Sequence, residues 1–357
     1  MSRYIEAEKK YYCANYEDLI SILKTLNFDL VSNRNESDEY FTDINSEYVK
    51  NRTCLRLRLL DDNLIITFKG KSNVFSNSFC KLESNYEQPI HKYSDITNLF
   101  NCIGFYSYVT VKKNRYAYYK KSDIFTYGVM IDYVKGIGDF VEFEILCDED
   151  NFDEIELKTK LNDFLDKFKF LKLEEANLPY RDFVASKIYN DYLPKSDLIG
   201  IHLNIDLFLK KYEKEFYKYF KDFMKKKYQK KITITSFRNE VFDLYEDDYD
   251  ILDAYFNNVV IKDCNFIITF ELLKKISLLN LNIVISTNCA RIFIDRFISR
   301  IFSHDLIEKV IYLNNSKALY KDLLKFNVNL SNYFDISNKD IKEVNSILLV
   351  IINNLYN

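Results

Sequence analysis

Seven short segments in the first half of the chain carry ionisable residues on every second position. In Ile5-Glu6-Ala7-Glu8-Lys9-Lys10, an extended backbone puts Glu6, Glu8 and Lys10 on one face and Ile5 and Ala7 on the other. The alternation returns in Leu55-Arg56-Leu57-Arg58-Leu59, in Ile66-Thr67-Phe68-Lys69, at Lys81 and Glu83 around Leu82, and at Lys113 and Arg115. It appears again where Met130 and Tyr133-Val134 surround Asp132 and Lys135, and in Val141-Glu142-Phe143-Glu144-Ile145. One such segment is an ordinary amphipathic edge strand. Seven of them, with both signs of charge, fit an arrangement in which the charged faces converge on an interior and the apolar faces pack beneath helices.

Such an interior holds many desolvated charges, which is costly unless each finds a partner. A polyanion suits the Lys and Arg set, and a divalent cation suits the Glu and Asp set. A triphosphate with its metal supplies both.

These residues also carry a family resemblance. Glu6-x-Glu8-x-Lys10 resembles the ExExK signature of the CYTH, or triphosphate tunnel metalloenzyme, superfamily. Further marks follow in that family's order: Asp38-Glu39-Tyr40-Phe41, Leu55-Arg56-Leu57-Arg58, Thr67-Phe68-Lys69-Gly70, Lys81-Leu82-Glu83, Val111-Lys112-Lys113-Asn114-Arg115, and the run from Ile131 to Glu144. That last run is most similar to the class IV adenylate cyclase branch. The resemblance extends over about residues 1–190. It departs from the pattern at Asn85 and Glu87, where another strand carboxylate is usual, and at Lys81, where Arg is common.

The resemblance implies a site. Glu6, Glu8, Asp132, Glu142 and Glu144 are expected to hold Mg²⁺ or Mn²⁺, hard cations that prefer oxygen ligands. Lys10, Arg56, Arg58, Lys69, Lys81, Lys113 and Arg115 are expected to clamp a triphosphate, the arginines by paired contacts. The catalytic group would be Glu6, Glu8, Lys10, Arg56, Arg58, Lys69, Glu142 and Glu144. Glu83 is either a further metal ligand or a partner for Arg58, and Tyr40 and Phe41 are expected to pack the wall. The implied activity is hydrolysis of a nucleotide, thiamine triphosphate or tripolyphosphate, or cyclisation of ATP. The alternative is a non-catalytic nucleotide or polyphosphate sensor coupled to the rest of the chain.

The expected fold is an α+β, antiparallel β-barrel (tunnel) domain with surrounding helices over 1–193, then a linker and amphipathic helix over 194–230, then a smaller α/β domain over 231–357. Strands are expected near 3–13, 28–33, 38–43, 53–60, 63–70, 79–87, 106–113, 114–121, 127–134 and 139–147. Leu19, Ile22, Leu23 and Leu26 space one helix, and a second ends at Gly104. A third, over 153–170, has an apolar stripe of Phe152, Ile155, Leu161, Phe164, Leu165 and Phe168. Leu178-Pro179-Tyr180-Arg181-Asp182-Phe183 resembles the family's closing helix, and Pro194 marks the boundary.

Beyond it, aromatic residues from Phe208 to Phe223 recur at helical spacing among lysines, which predicts one long helix over 203–229. Strands are expected at Lys231–Thr235, Asn258–Lys262, Asn282–Ser286 and Lys309–Leu313, with helices between them. Ser236-Phe237-Arg238 is shaped like the DxDGT loop of haloacid-dehalogenase-type phosphatases, with Ser236 at the nucleophile and Arg238 at the general acid. Ile285-Ser286-Thr287-Asn288, Lys317, and Asp335 with Asp340 resemble that fold's other motifs. So altered, this half is expected to be inactive if the resemblance holds; a generic α/β domain is the alternative. No glycine follows Gly200, so this half holds neither a P-loop nor a dinucleotide fingerprint.

The seven cysteines stand singly without CxxC spacing, which suits free thiols and a cytoplasmic setting. The three histidines are isolated as well. A net charge of −3 gives no global reason to expect nucleic acid or acidic membranes as partners. No apolar run approaches the ~20 residues of a membrane span, and no signal peptide is evident. The sequence leaves the oligomeric state open.

Overall fold

The alternating segments become eight strands: β1 (Ser2–Tyr12), β2 (Asp29–Asp43), β3 (Cys54–Leu60), β4 (Asn63–Lys69), β5 (Cys80–Pro89), β6 (Phe105–Ser122), β7 (Phe125–Val134) and β8 (Gly138–Cys147). They close into a barrel in the order β1-β5-β4-β3-β2-β6-β7-β8, and every pairing is antiparallel. This computed structural model describes residues 2–13, 16–60, 62–70, 80–122, 124–148, 153–192, 200–240, 242–256, 264–279, 281–290, 292–294, 296–297, 310–314, 333–336 and 339–356. It divides into two compact units, Met1–Lys187 and Ile188–Asn357.

Closure of the barrel sorts the two faces of each strand. Ile5, Ala7, Val129, Ile131, Val141, Phe143 and Ile145 face outward into a core shared with helices α1 (Tyr16–Thr25) and α4 (Glu154–Asp166). Helix α1 contributes Leu19 and Leu23, and α4 contributes Leu157, Leu161 and Phe164. A second core gathers Phe41, Leu57, Leu64 and Phe100, the last from helix α3 (Tyr93–Cys102). The short helix α2 (Glu47–Lys50) follows β2. In α4, Asp153 caps the first turn by accepting from the Glu156 amide. Ile155, expected on the apolar stripe, is 78% exposed, and Leu157 is buried in its place. Phe152 lies outside the described residues.

Two pairs of expected strands merge. Residues 28–33 and 38–43 form the single strand β2, and 106–113 and 114–121 form β6. The polar stretch Asn33-Arg34-Asn35-Glu36 suggested a break. It continues as strand because β6 pairs with it throughout and because Glu36 enters the charged interior, 2% exposed. Gly136 and Gly138, at φ +77° and +145°, turn β7 into β8.

The second unit holds a four-stranded parallel sheet, in the order β11 (Val310–Asn314), β10 (Asn282–Thr287), β9 (Gly200–Asn204), β12 (Tyr333–Asp335). The sheet thus draws in residues 200–204, ahead of the boundary expected at 231. Helix α5 (Tyr180–Tyr192) precedes it, and α6 (Asp206–Tyr228) is the long helix read from the aromatic spacing. The strand expected at Lys231–Thr235 is absent: Thr233 caps a short helix, α7 (Ile234–Asn239), in a reciprocal bond pair with Ser236. Helices α8 (Glu246–Tyr255), α9 (Cys264–Leu278) and α10 (Ile341–Tyr356) complete the described elements. The strand expected at 258–262 and Lys317 lie outside the described residues. No helix among the described residues is long and apolar enough to cross a membrane.

Phe164 is 2% exposed and packs its ring against Phe28, Tyr127, Phe143 and Phe168. Phe164→Ala should cost about 3–5 kcal/mol in urea unfolding of the barrel unit. A loss below about 1 kcal/mol would show that α4 is not what seals this face.

Candidate functional site: a polarised charged interior

Inside the barrel the charges segregate. One side gathers the carboxylates of Glu6, Glu8, Glu83 and Glu144 around a single ammonium among the described residues, that of Lys69. The other holds Lys10, Arg56, Arg58, Lys113 and Arg115 against Glu36, Asp38, Asp132 and Glu142. Among the described residues, four carboxylates to one cation on the first side, and four to five on the second, make the interior electrically lopsided.

Register produces the acidic side. Glu8 of β1 lies directly opposite Glu144 of β8, and Glu6 follows two residues along the same face. One oxygen from each of Glu6, Glu8 and Glu144 can be chosen so that all three lie within 4.8 Å of one another. Such crowding disfavours ionisation. Burial, reinforced by Glu8, raises the Glu6 carboxyl well above its ordinary value. Burial likewise pushes Glu144 up to about 7, with Glu8 adding to it while Arg115 and Lys69 oppose. Tyr119 hydrogen-bonds Glu144. Gly128, opposite Glu144 across β7 and β8, makes the close approach possible: a Cβ there would meet Glu144 Cγ at 2.7 Å and Tyr119 Cε1 at 2.8 Å.

The arginines are braced from behind. Asp38 faces Arg58 across β2 and β3 and receives Nε at 2.6 Å and Nη2 at 2.8 Å. Arg56 donates to Asp38 at 3.4 Å and to Thr67 Oγ1 at 3.2 Å, and its buried Nε has no hydrogen-bond partner among the described residues. Burial would raise the Glu36 carboxyl, but Arg58, Lys113 and Arg115 override it and bring it to about 2. Asp38 is likewise held far below the carboxylate range, mainly by Arg58 and Arg56 against its burial.

Of the five carboxylates expected at a metal, three meet. Asp132 and Glu142 do not join them. Asp132 lies opposite Arg115 in the β6–β7 register and takes its guanidinium through both oxygens, at 2.7 and 2.5 Å. Glu142 lies opposite Lys10, 3.5 Å from its ammonium, and also bonds Arg115. Two residues apart on β8, Glu142 meets a lysine and Glu144 a glutamate. Glu83, expected to bind metal or pair with Arg58, instead pairs with Lys69 at 2.8 Å. The side chain of Lys81 lies outside the described residues, although its backbone pairs with Glu6.

The structure adds residues to which the sequence gave no role. Glu36 and Asp38 follow the same period of two. Tyr4 and Asn85 each hydrogen-bond Glu83 Oε1 at 2.8 Å. Tyr180, at the start of α5, donates to Asp132 at 2.9 Å and lays its ring 4.0 Å from the Lys10 ammonium. Nothing in the strand pattern announces Tyr180.

In the second unit, Arg238 pairs with Glu213 of α6 at 2.9 Å, and Ser236 lies within α7. No strand leads directly into Ser236, which lies in the first turn of α7 after α6, so the loop expected there does not form. The residues that follow β9 beside β10 are Ile205 and Asp206. Asp206 accepts from Thr287 Oγ1, from Asn288 N and from Asn288 Nδ2, at 2.6–2.8 Å. Asp335 ends β12, and Asp340 caps α10 by accepting from the Lys342 and Glu343 amides at 2.9 Å.

Residues 4–181 match the family model of the CYTH domain. A Methanocaldococcus jannaschii protein provisionally named an adenylate cyclase is 26% identical over 181 residues, spanning 50% of this chain and 97% of its own. Among solved structures, a provisionally named adenylate cyclase from Vibrio parahaemolyticus is similar at 18% identity and TM-score 0.41, covering 51% of this chain and 98% of its own. A provisionally named Hippeastrum adenylyl cyclase, reported to show a dominant triphosphatase activity, is similar at 14% identity and TM-score 0.38, covering 51% and 96%.

The depressed carboxylates make an acid-labile barrel. Between an ordinary 4.5 and about 2, the unfolded chain binds a proton at Glu36 that the native state refuses. Stability is therefore present above pH 4.5 and drains as the pH falls toward 2. Thermal unfolding followed by circular dichroism should show that loss. Asp38→Asn should be about 1.5–3 kcal/mol less stable at pH 7, because it removes the paired carboxylate contacts of Arg58 and leaves it Glu36 at 3.1 Å. Unchanged stability at pH 7 would refute the bracing role of Asp38.

Proposed function

Since residues 4–181 are a CYTH domain, we propose that the chain is a metal-dependent enzyme acting on a triphosphate. The observation that carries this reading is the lopsided interior. A carboxylate cluster that holds one ammonium, that of Lys69, among the described residues stands opposite a row of braced arginines and lysines, within one closed barrel.

The residues fit a hard divalent cation. Glu6, Glu8 and Glu144 offer only oxygen and converge within 4.8 Å, and burial together with the Glu8 charge raises the proton affinity of Glu6 and of Glu144 despite Lys69. Mg²⁺ or Mn²⁺ held there would neutralise phosphate oxygens and polarise the phosphorus under attack. The remaining work belongs to the chain. Arg56 has a buried Nε without a hydrogen-bond partner among the described residues, and Arg58 and Arg115 are held rigid by Asp38 and Asp132. With Lys10 and Lys113, these groups would fix the phosphate chain in line for displacement. Little covalent chemistry is then required, because positioning and electrostatics supply most of the acceleration. Asp132 and Glu142 serve as holders of Arg115 in this arrangement, not as metal ligands.

The same clamp serves two outcomes. A water aimed at the terminal phosphorus hydrolyses the anhydride; a ribose 3′-hydroxyl aimed at the α-phosphorus gives a cyclic nucleotide and pyrophosphate. ATP, GTP, thiamine triphosphate and tripolyphosphate, each tested with Mg²⁺ and Mn²⁺ and with products identified, separate them. Orthophosphate marks a hydrolase, and cyclic AMP with pyrophosphate marks a cyclase. Tight binding of all four without turnover would overturn the enzymatic reading in favour of a sensor. Glu6→Gln with Glu8→Gln should lower metal-dependent turnover by at least about 100-fold, the upper range for losing a mere outer partner of a metal. Circular dichroism should show the barrel intact.

A further inference from the structure

Lys69 occupies an unexpected place. A residue that grips phosphate should point toward the arginines. Its ammonium instead lies among the carboxylates, bonded to Glu6, 2.8 Å from Glu83 Oε2 and 3.9 Å from Glu8 Oε2. Among the described residues it is the one cation in salt-bridge contact with the carboxylates of this acidic side, and it pairs with Glu6, one of the three that converge as for a metal. An ammonium and a divalent cation compete for the Glu6 carboxylate, since like charges so close repel in a desolvated site.

Two features let the lysine move while the site stays. The Lys69 backbone is fixed by the β3–β4 and β4–β5 ladders, opposite Cys54 and Glu83, so only its flexible four-carbon stem needs to swing. Glu83 is anchored, because Tyr4 and Asn85 both donate to its Oε1 and leave Oε2 facing Lys69. Of the four carboxylates around Lys69, Glu83 is the one outside the converging trio. It can keep hold of the ammonium after Glu6 lets go.

We propose that Lys69 is a resident counter-ion: it neutralises Glu6 and Glu8 in the metal-free protein, yields Glu6 to an entering divalent cation, and turns, tethered by Glu83, toward the phosphate chain. Metal and triphosphate binding are thereby coupled through one side chain. Metal entry releases the cation that the triphosphate needs, so the metal alone binds more weakly than its three carboxylates would permit. This inference rests on the metal-site reading above.

The test uses Mn²⁺ alone, titrated into metal-free full-length protein and followed by electron paramagnetic resonance of free Mn²⁺. Lys69→Met keeps the stem and removes the charge. It should bind Mn²⁺ at least about tenfold more tightly than the wild type, as expected when a cation a few ångströms away is deleted. The same variant should bind tripolyphosphate more weakly in saturating Mn²⁺. Glu83→Gln, which keeps the lysine but removes its alternative anchor, should bind Mn²⁺ several-fold more weakly. Equal or weaker Mn²⁺ affinity in Lys69→Met overturns the proposal. Should that variant fail to fold, unchanged or tighter affinity in Glu83→Gln overturns it equally. A wild type that binds no Mn²⁺ sinks the metal site itself, an outcome distinguishable from either variant's result.

Discussion

Desolvated charge is the constraint on which this barrel depends. An isolated ion in such an interior would cost several kcal/mol even after relaxation. Each buried charge therefore needs a neighbour of opposite sign, and the strands supply neighbours by register. Asp38 finds Arg58, Asp132 finds Arg115, and Glu142 finds Lys10, each directly across a ladder. These contacts are as much part of folding as the apolar cores outside, because misaligning one strand by a residue would turn its whole charged set outward. Glu8 opposite Glu144 departs from this rule on the acidic side. There the ladder brings like charges together, and the structure tolerates it with Lys69 and with raised proton affinity. A local conflict retained inside an otherwise consistent arrangement is the usual mark of a working site.

The outer layer explains how the conflict survives. Ile145, Phe143 and Val141 alternate with Glu144 and Glu142 on β8 and are fully buried beneath α1 and α4. The strand cannot slide or peel away to separate Glu144 from Glu8 without exposing those side chains. Gly128 works in the same direction from the neighbouring strand, since any side chain there would fill the space that Glu144 uses. Apolar packing on one face thus holds in place an unfavourable pairing on the other.

How much of this was legible in the sequence follows from the physics of strands. The period of two is local, so Glu6, Glu8, Arg56, Arg58, Glu142 and Glu144 could be assigned to one face from the chain alone. Register and closure are not local. Whether Asp132 meets a metal or a guanidinium depends on its being opposite Arg115, which no spacing within β7 reveals. Tyr180 reaches Asp132 from a helix 48 residues later, and its own neighbourhood carries no charge pattern. The second unit was harder to read for another reason. Ile232-Thr233-Ile234 has the β-branched look of a strand, yet Thr233 and Ser236 exchange caps and make it a helix start. The short strand Gly200–Asn204 gains its place only from partners 80 and more residues away.

A buried carboxylate is not by itself a sign of chemistry, and the two units show why. Asp206 is 3% exposed, about as buried as Glu6 at 5%. Its oxygens, however, accept from a hydroxyl, a backbone amide and a side-chain amide, all neutral donors fixed by the end of β10. That arrangement fastens the start of α6 to the sheet and asks for nothing further. Glu6 has an ammonium that could leave, a glutamate at contact range, and an affinity for protons raised by both burial and Glu8. The difference lies in what the neighbours leave unsatisfied. Where neutral donors saturate an acid it is structural; where other acids crowd it, the deficit of positive charge is met by a neighbouring cation or by proton uptake, as Lys69 and the raised Glu144 show.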